Sequence, residues 1–231
     1  MCGRIYATYT DEELSLRYLN GRPIEITSPS ANYNGAPTQK FPILRFVNEE
    51  RHFDLMHWQL IPRWETEFKT KLSTINAKSE TVFESKLYHS LILKQRCILP
   101  VTGFFEWQSP ESPEKPTGQK LPKKPFAIHG KQQKILSLAG IWDRWGGPAG
   151  QLSFSILTTR ANSLMAPMHD RMPVILGPEE EEAWLDPKRE TSKEIVKLLK
   201  PCPSGWLDAY EVSTAVNSPR NNRAEIIEPL T

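Results

Sequence analysis

No run of this chain approaches the ~20 apolar residues that cross a bilayer, so no membrane-spanning helix is expected. The start, Met-Cys-Gly-Arg-Ile-Tyr, runs into the acids Asp11, Glu12 and Glu13 without the apolar stretch of a secretory leader. The only three cysteines, Cys2, Cys97 and Cys202, are far apart, with no CxxC and no Cys/His cluster. That argues against a disulfide framework and a structural zinc site, and for a reduced, intracellular (cytoplasmic) setting. Charge of one sign is also lacking: 29 Lys plus Arg against 27 Asp plus Glu leave +2. A histone-like polycation and an acidic disordered tail are excluded, but a local basic face for nucleic acid is not.

What is abundant is proline, 20 of 231 residues, nearly twice the usual ~5%. So many prolines disfavour a helical bundle and favour short strands and loops. Thr10 followed by Glu13 is a capping box and predicts a helix to about Leu19, stopped near Gly21 and Pro23. Phe41–Val47 and Phe53–Trp58 read as strands around the turn Asn48–Arg51. Six more short strands are predicted at Cys97–Val101, Phe104–Trp107, Pro125–His129, Ile135–Ile141, Leu152–Thr158 and Pro173–Leu176. Helices are predicted over Thr81–Lys94, Pro178–Leu185 and Thr191–Lys200. The order has no strand–helix–strand rhythm, so the expectation is one α+β domain over 1–231. Its core should be an open barrel of short, mainly antiparallel strands with peripheral helices. The proline- and lysine-rich segment 109–125 reads as a loop inside a hairpin, not as a linker.

Four positions could carry chemistry. Cys2 would become the N-terminus if Met1 were trimmed, pairing a thiol with an α-amine of pKa ~7.7–8.0. Such a 1,2-aminothiol condenses with aldehydes: the amine forms an imine and the thiol closes a thiazolidine. Asn76 lies in Thr74-Ile-Asn-Ala-Lys-Ser-Glu80, a carboxamide, a cation and a carboxylate ahead of the predicted helix. Glu106, between Phe105 and Trp107, should have a raised pKa and serve as acid and base. His169 follows Met168 and precedes Asp170 and an apolar strand. Three of them have a plainer reading: Cys2 an incidental second residue, Glu106 a solvent-facing strand residue, His169 a structural histidine. The remaining histidines, His52, His57, His89 and His129, have no metal-ligand spacing.

Nine segments in register bring these residues together: Met1-Cys-Gly-Arg4, Tyr33-Asn-Gly-Ala-Pro-Thr38, His57-Trp-Gln-Leu-Ile-Pro62, Ile75-Asn-Ala-Lys-Ser-Glu-Thr81, Arg96-Cys-Ile-Leu-Pro100, Gly103-Phe-Phe-Glu-Trp107, Ala139-Gly-Ile-Trp142, Ile156-Leu-Thr-Thr159 and His169-Asp-Arg-Met-Pro173. In this order the chain resembles the SOS-response-associated peptidase family from Cys2 to about Ala224. The resemblance implies a sensor of abasic sites in single-stranded DNA that crosslinks to them through Cys2, shielding the lesion. It implies that Asn76 holds the sugar, that Glu106 shuttles protons and that His169 protonates the ring oxygen. It further implies DNA contacts from Arg4, Asn34, Lys78, Lys86 and Arg171, with Pro37 and Trp64 as an apolar wedge between bases. Lys78 and Lys86 stand where arginine is common and give up the bidentate fork. Gln59 stands where glycine is usual. No metal or organic cofactor is implied, and a monomer is expected. Two other functions stay open: a thiol autopeptidase using Cys2, and a non-covalent single-strand-binding module. Cys97 and Cys202 read as buried thiols.

Overall fold

The computed structural model describes residues 2–26, 31–110, 121–147 and 149–230. Met1 and most of the predicted proline-rich loop, 111–120, lie outside them. The strands are β1 (Ile5–Ala7), β2 (Asn32–Gly35), β3 (Lys40–Val47), β4 (Glu50–Trp58), β5 (Asn76–Lys78), β6 (Arg96–Val101), β7 (Gly103–Gln108), β8 (Lys124–Gly130), β9 (Leu136–Trp145), β10 (Gln151–Arg160), β11 (Arg171–Pro173), β12 (Ile175–Leu176) and β13 (Leu207–Glu211). The α-helices are α1 (Asp11–Leu19), α2 (His89–Lys94), α3 (Pro178–Leu185) and α4 (Ser192–Ile195).

Five strands close a barrel in the order β4-β3-β6-β9-β10, with β10 returning to β4. Every neighbouring pair is antiparallel except β10–β4. The hairpin β3–β4 turns on Asn48 and Glu49, both with positive φ, as a two-residue right-twisting hairpin requires. A second sheet runs β13-β8-β7-β1-β2. Strand alternation buries both barrel faces. Phe41, Ile43, Met56, Trp58, Leu99, Leu138, Phe154 and Ile156 fill one apolar cluster, which also takes in Cys2, Ile5 and Phe104. The opposite faces, with Leu44, Phe53, Ile98 and Ile141, pack against Leu14 and Tyr18 of α1, Leu91 and Ile92 of α2, and Trp184 of α3. The α+β expectation therefore holds, and the barrel's ring of strands is closed.

Local chemistry sets the element ends. Thr10 Oγ1 accepts the Glu13 N–H at 3.2 Å and the Glu13 carboxylate accepts the Thr10 N–H at 3.0 Å, the capping box read from sequence. Buried Arg96 caps two helices at once. Its guanidinium donates to the carbonyls of Ile92 at the end of α2 and of Trp184 and Asp186 at the end of α3. Gly103 allows close approach: a Cβ there would sit 2.3 Å from the Tyr6 ring and from the Ile128 carbonyl.

Two predicted helices are shorter than their apolar stripes. Over 81–94 only His89–Lys94 is helical. The preceding residues form separate turns that end and restart at Ser85, whose hydroxyl accepts the Tyr88 N–H and so competes with the helical ladder. Over 191–200, α4 gives way to a 3₁₀ turn at Val196–Leu198. The short strands β1, β2, β5 and β13 were not predicted. No helix among the described residues is long and apolar enough to cross a membrane.

Candidate active site

The N-terminal arm lies where the barrel meets the second sheet. Cys2 has no exposed surface. The Asn76 side chain, delivered by β5, donates from Nδ2 to the Cys2 carbonyl at 2.9 Å. Its Oδ1 is buried without a hydrogen-bond partner, an acceptor left over at the nucleophile. Glu106, delivered by β7, is only 3% exposed and lies close enough that its charge disfavours a Cys2 thiolate. Burial first, and Glu106 second, push the Cys2 thiol well above its ordinary value, so it rests protonated.

Burial also raises the Glu106 carboxyl, and the charge of nearby His169 works against that rise. The raised value matches the sequence expectation, but the cause differs. Phe105 and Trp107 project to the far face of β7, into a separate cluster with Tyr6 and Val212. Glu106 shares its face with Phe104, and the Cys2 cluster desolvates it. His169 is half-buried just before β11. Its Nδ1 accepts the Arg171 backbone N–H at 2.9 Å, and an Asp170 carboxylate oxygen stands 2.7 Å from the same nitrogen. One nitrogen cannot accept the first and donate to the second together. The Arg171 N–H suits the neutral ring and Asp170 the ring protonated at Nδ1. Cys2, Asn76, Glu106 and His169 thus gather from four separate segments, as expected.

The expected DNA contacts divide. Lys78 and Lys86 are exposed. Trp64 is 60% exposed, on a loop braced by Trp145, whose Nε1 donates to the Glu65 carbonyl at 2.7 Å. Pro37 is half-buried, and Thr38 beside it holds a positive φ. Gln59 also has a positive φ (149°), a conformation that costs a side-chain-bearing residue and explains why glycine suits this position.

Arg4, Asn34 and Arg171 are committed inside the protein. Arg4 Nη1 donates to Asn34 Oδ1 and to the Val216 carbonyl, both at 2.7 Å, while its guanidinium lies 5.8 Å from the Trp107 ring. Asn34 is 1% exposed and its Nδ2 faces the carbonyls of Val216, Ser218 and Asn221. Asn34, expected to contact DNA, here tethers the 213–223 loop to β2. Arg171 makes a bidentate pair with Glu80 at 2.7 and 2.8 Å. The sequence did not single out Val216, Ser218 or Asn221, because a backbone carbonyl leaves no mark in residue type. Glu80 stood out as a carboxylate without revealing its partner. Among the described residues no His, Cys, Asp and Glu cluster could hold a metal ion.

Fold and site together define a small closed-barrel protein whose buried N-terminal thiol is ringed by an amide, a carboxylic acid and an imidazole. The chain belongs to the SOS response associated peptidase (SRAP) family, whose model matches residues 1–219. It is 36% identical over 201 residues, 85% of each chain, to the abasic site processing protein YoqW of Bacillus subtilis. It is 34% identical over 234 residues, 99% of this chain and 98% of the relative, to the abasic site processing protein YoaM of the same organism. Against the abasic site processing protein HMCES of Xenopus tropicalis it is 30% identical, covering all of this chain and 78% of the relative. A crystal structure of a Bacteroides thetaiotaomicron protein superimposes over the full length of both chains, with a TM-score of 0.85 and 30% identity.

Proposed function

We propose that this protein processes abasic sites in single-stranded DNA by a covalent step at Cys2. Hydrolysis of the Met1–Cys2 bond frees the α-amine. The open-chain form of an abasic site offers an aldehyde at C1′. The amine adds to it and loses water, giving an imine. The thiol then adds to the imine carbon, and its proton goes to the nitrogen, closing a thiazolidine. Hydrolysis takes up one water and the condensation with the aldehyde releases one, and nothing is oxidised or reduced.

The carrying observation is the gathering of buried Cys2, Asn76 and Glu106 with half-buried His169, with the Asn76 Oδ1 acceptor still unused. A protonated thiol suits an order in which the amine reacts first. Glu106, its carboxyl raised by burial, takes the ammonium proton and returns one when the ring opens. His169 serves as acid toward the sugar ring oxygen as the aldehyde forms. Asn76 Oδ1 takes a hydrogen bond from the freed amine or from the sugar hydroxyl. Lys78 and Lys86 supply phosphate contacts, and Trp64 with Pro37 stacks against bases beside the lesion.

Autoproteolysis would need a polarised Met1 carbonyl, whereas Asn76 grips the carbonyl of Cys2, one residue further on. The geometry therefore favours aldehyde capture. The test mixes the processed protein with single-stranded DNA carrying one abasic site, then heats and denatures it before electrophoresis. A shifted, heat-stable band that intact DNA does not give is the expected result. Its absence would reduce the protein to a binding module.

A further inference from the structure

Asn76 and His169 reach the site from opposite edges of one strand. β5 pairs parallel with β10 through Ile156, Leu157 and Thr158, and β11 pairs antiparallel with β10 through Thr158, Thr159 and Arg160. Strand pairing therefore couples the two edges only through β10. A side-chain bridge couples them directly. Arg171, first residue of β11, reaches across Thr158, donating from Nη2 to its carbonyl at 2.6 Å. It then closes a two-bond fork on Glu80, in the turn that follows β5. The Thr158 carbonyl also accepts the Ser79 N–H at 2.8 Å, so the turn and the guanidinium share one anchor. The Arg171 side chain is 12% exposed and that of Glu80 is 39% exposed. Both ends of the fork are used, so Arg171 cannot grip a phosphate with two bonds while Glu80 holds it.

The main chain of Arg171 serves a second purpose. Its N–H points at His169 Nδ1. A neutral imidazole that accepts at Nδ1 carries its proton at Nε2, which is then its donor nitrogen. The charged groups near the ring are Glu106 from β7 and Asp170 from its own segment, whereas Arg171 meets it through its main chain.

We infer that Glu80 is a positioning residue of this site: by holding Arg171 across β10 it fixes the Arg171 N–H on His169 Nδ1, and so presents Nε2 toward the reacting sugar. This rests on the function proposed above and adds a residue to it. The competing use of the same pair is electrostatic. There Glu80 would only keep Arg171 from phosphate, and DNA would displace it.

Two variants of the full chain, Glu80→Gln and Glu80→Asp, separate these uses. Single-turnover crosslinking to abasic single-stranded DNA gives the rate at saturation and the half-saturating concentration. Nitrogen-15 spectra of the histidine rings report which nitrogen of His169 carries the proton. In Glu80→Gln the saturating rate should fall about tenfold or more, with half-saturation changed less than about twofold. Glu80→Asp, which keeps two acceptor oxygens, should recover most of that rate. The Nε2–H share of His169 should be higher in the parent than in Glu80→Gln, where the Nδ1–H form that suits Asp170 gains. An unchanged saturating rate with tighter half-saturation would overturn the inference in favour of the displaced counter-ion. A lowered melting temperature with normal rate per folded molecule would overturn it in favour of a structural brace. If the parent forms no covalent complex, the proposed function fails, and the ring spectra alone decide: identical His169 tautomers in parent and variant would overturn the role of Glu80.

Discussion

Two glutamates are buried to nearly the same depth, Glu181 at 2% exposure and Glu106 at 3%, and their surroundings could hardly differ more. Glu181, on α3, is in contact with the Arg17 guanidinium of α1 and accepts the Ser137 hydroxyl of β9 at 2.7 Å, where Tyr18 joins through its own hydroxyl. Its charge is met by a cation on the neighbouring helix, and the knot rivets two helices to the barrel. Glu106 faces a thiol and an imidazole, and burial raises its pKa. A buried carboxylate with its cation in contact holds structure, whereas one beside titratable partners is placed to carry a proton.

The sharpest break in this comparison is Cys2→Ala. It should abolish the heat-stable adduct while leaving non-covalent binding nearly intact, read by denaturing and native electrophoresis. An adduct that survived heat without borohydride would remove the nucleophile from the Glu106 end. Next come the matched variants. Glu106→Gln should slow crosslink formation or reversal by about 10²–10⁴-fold at saturating DNA, with affinity hardly changed. Glu181→Gln should leave that rate alone and cost about 1.5–3 kcal/mol of stability, a melting-temperature loss of several degrees. If the two variants behaved alike in both assays, the distinction between rivet and proton carrier would fall.

A smaller effect concerns the charges that do face solvent. Lys78→Ala and Lys86→Ala should each flatten the log–log salt dependence of single-strand affinity by ~0.7. An unchanged slope in both would move the phosphate track elsewhere. The smallest effect is a difference in pH dependence. The folded chain binds the Glu106 proton more tightly than the unfolded chain does. The stability from this group is therefore complete below the unfolded glutamate value of ~4.3, and is lost as pH rises through the raised folded value. Glu106→Gln escapes that loss, so its melting temperature relative to the parent should climb from pH 4 toward neutrality. A difference that stayed flat or shrank would mean that burial does not raise this carboxyl.

What could be read in the sequence was whatever is decided locally. The capping box at Thr10 and Glu13 and the long alternating strands β3, β4, β9 and β10 are of this kind. β1 and β5 have three residues each, too few to show a period, yet they carry the arm behind Cys2 and Asn76 itself. The stripe Val82, Phe83, Leu87, Leu91 and Ile92 is apolar because the core needs those residues, and turns deliver several of them as well as a helix would. The four central site residues were legible through motifs in register. The inward bonds of Asn34 and Arg171 left no mark in the sequence. The partners that turn them inward, the Val216 carbonyl and Glu80, lie 182 and 91 residues away in the chain.

The bond from Arg4 to the Val216 carbonyl spans 212 residues of sequence. On a ribosome adding 5–20 residues per second, that acceptor exists only about 10–40 s after Arg4 has been made. For that interval Arg4 lacks this anchor, although β1 can already pair with β2 and β7. Once the loop around Val216 arrives, the Arg4 guanidinium is held between Asn34 Oδ1 and the Val216 carbonyl. The order of synthesis thus sets a delay between the making of the arm and the closing of this tether, so the Arg4 guanidinium is among the later groups of the fold to find its partner.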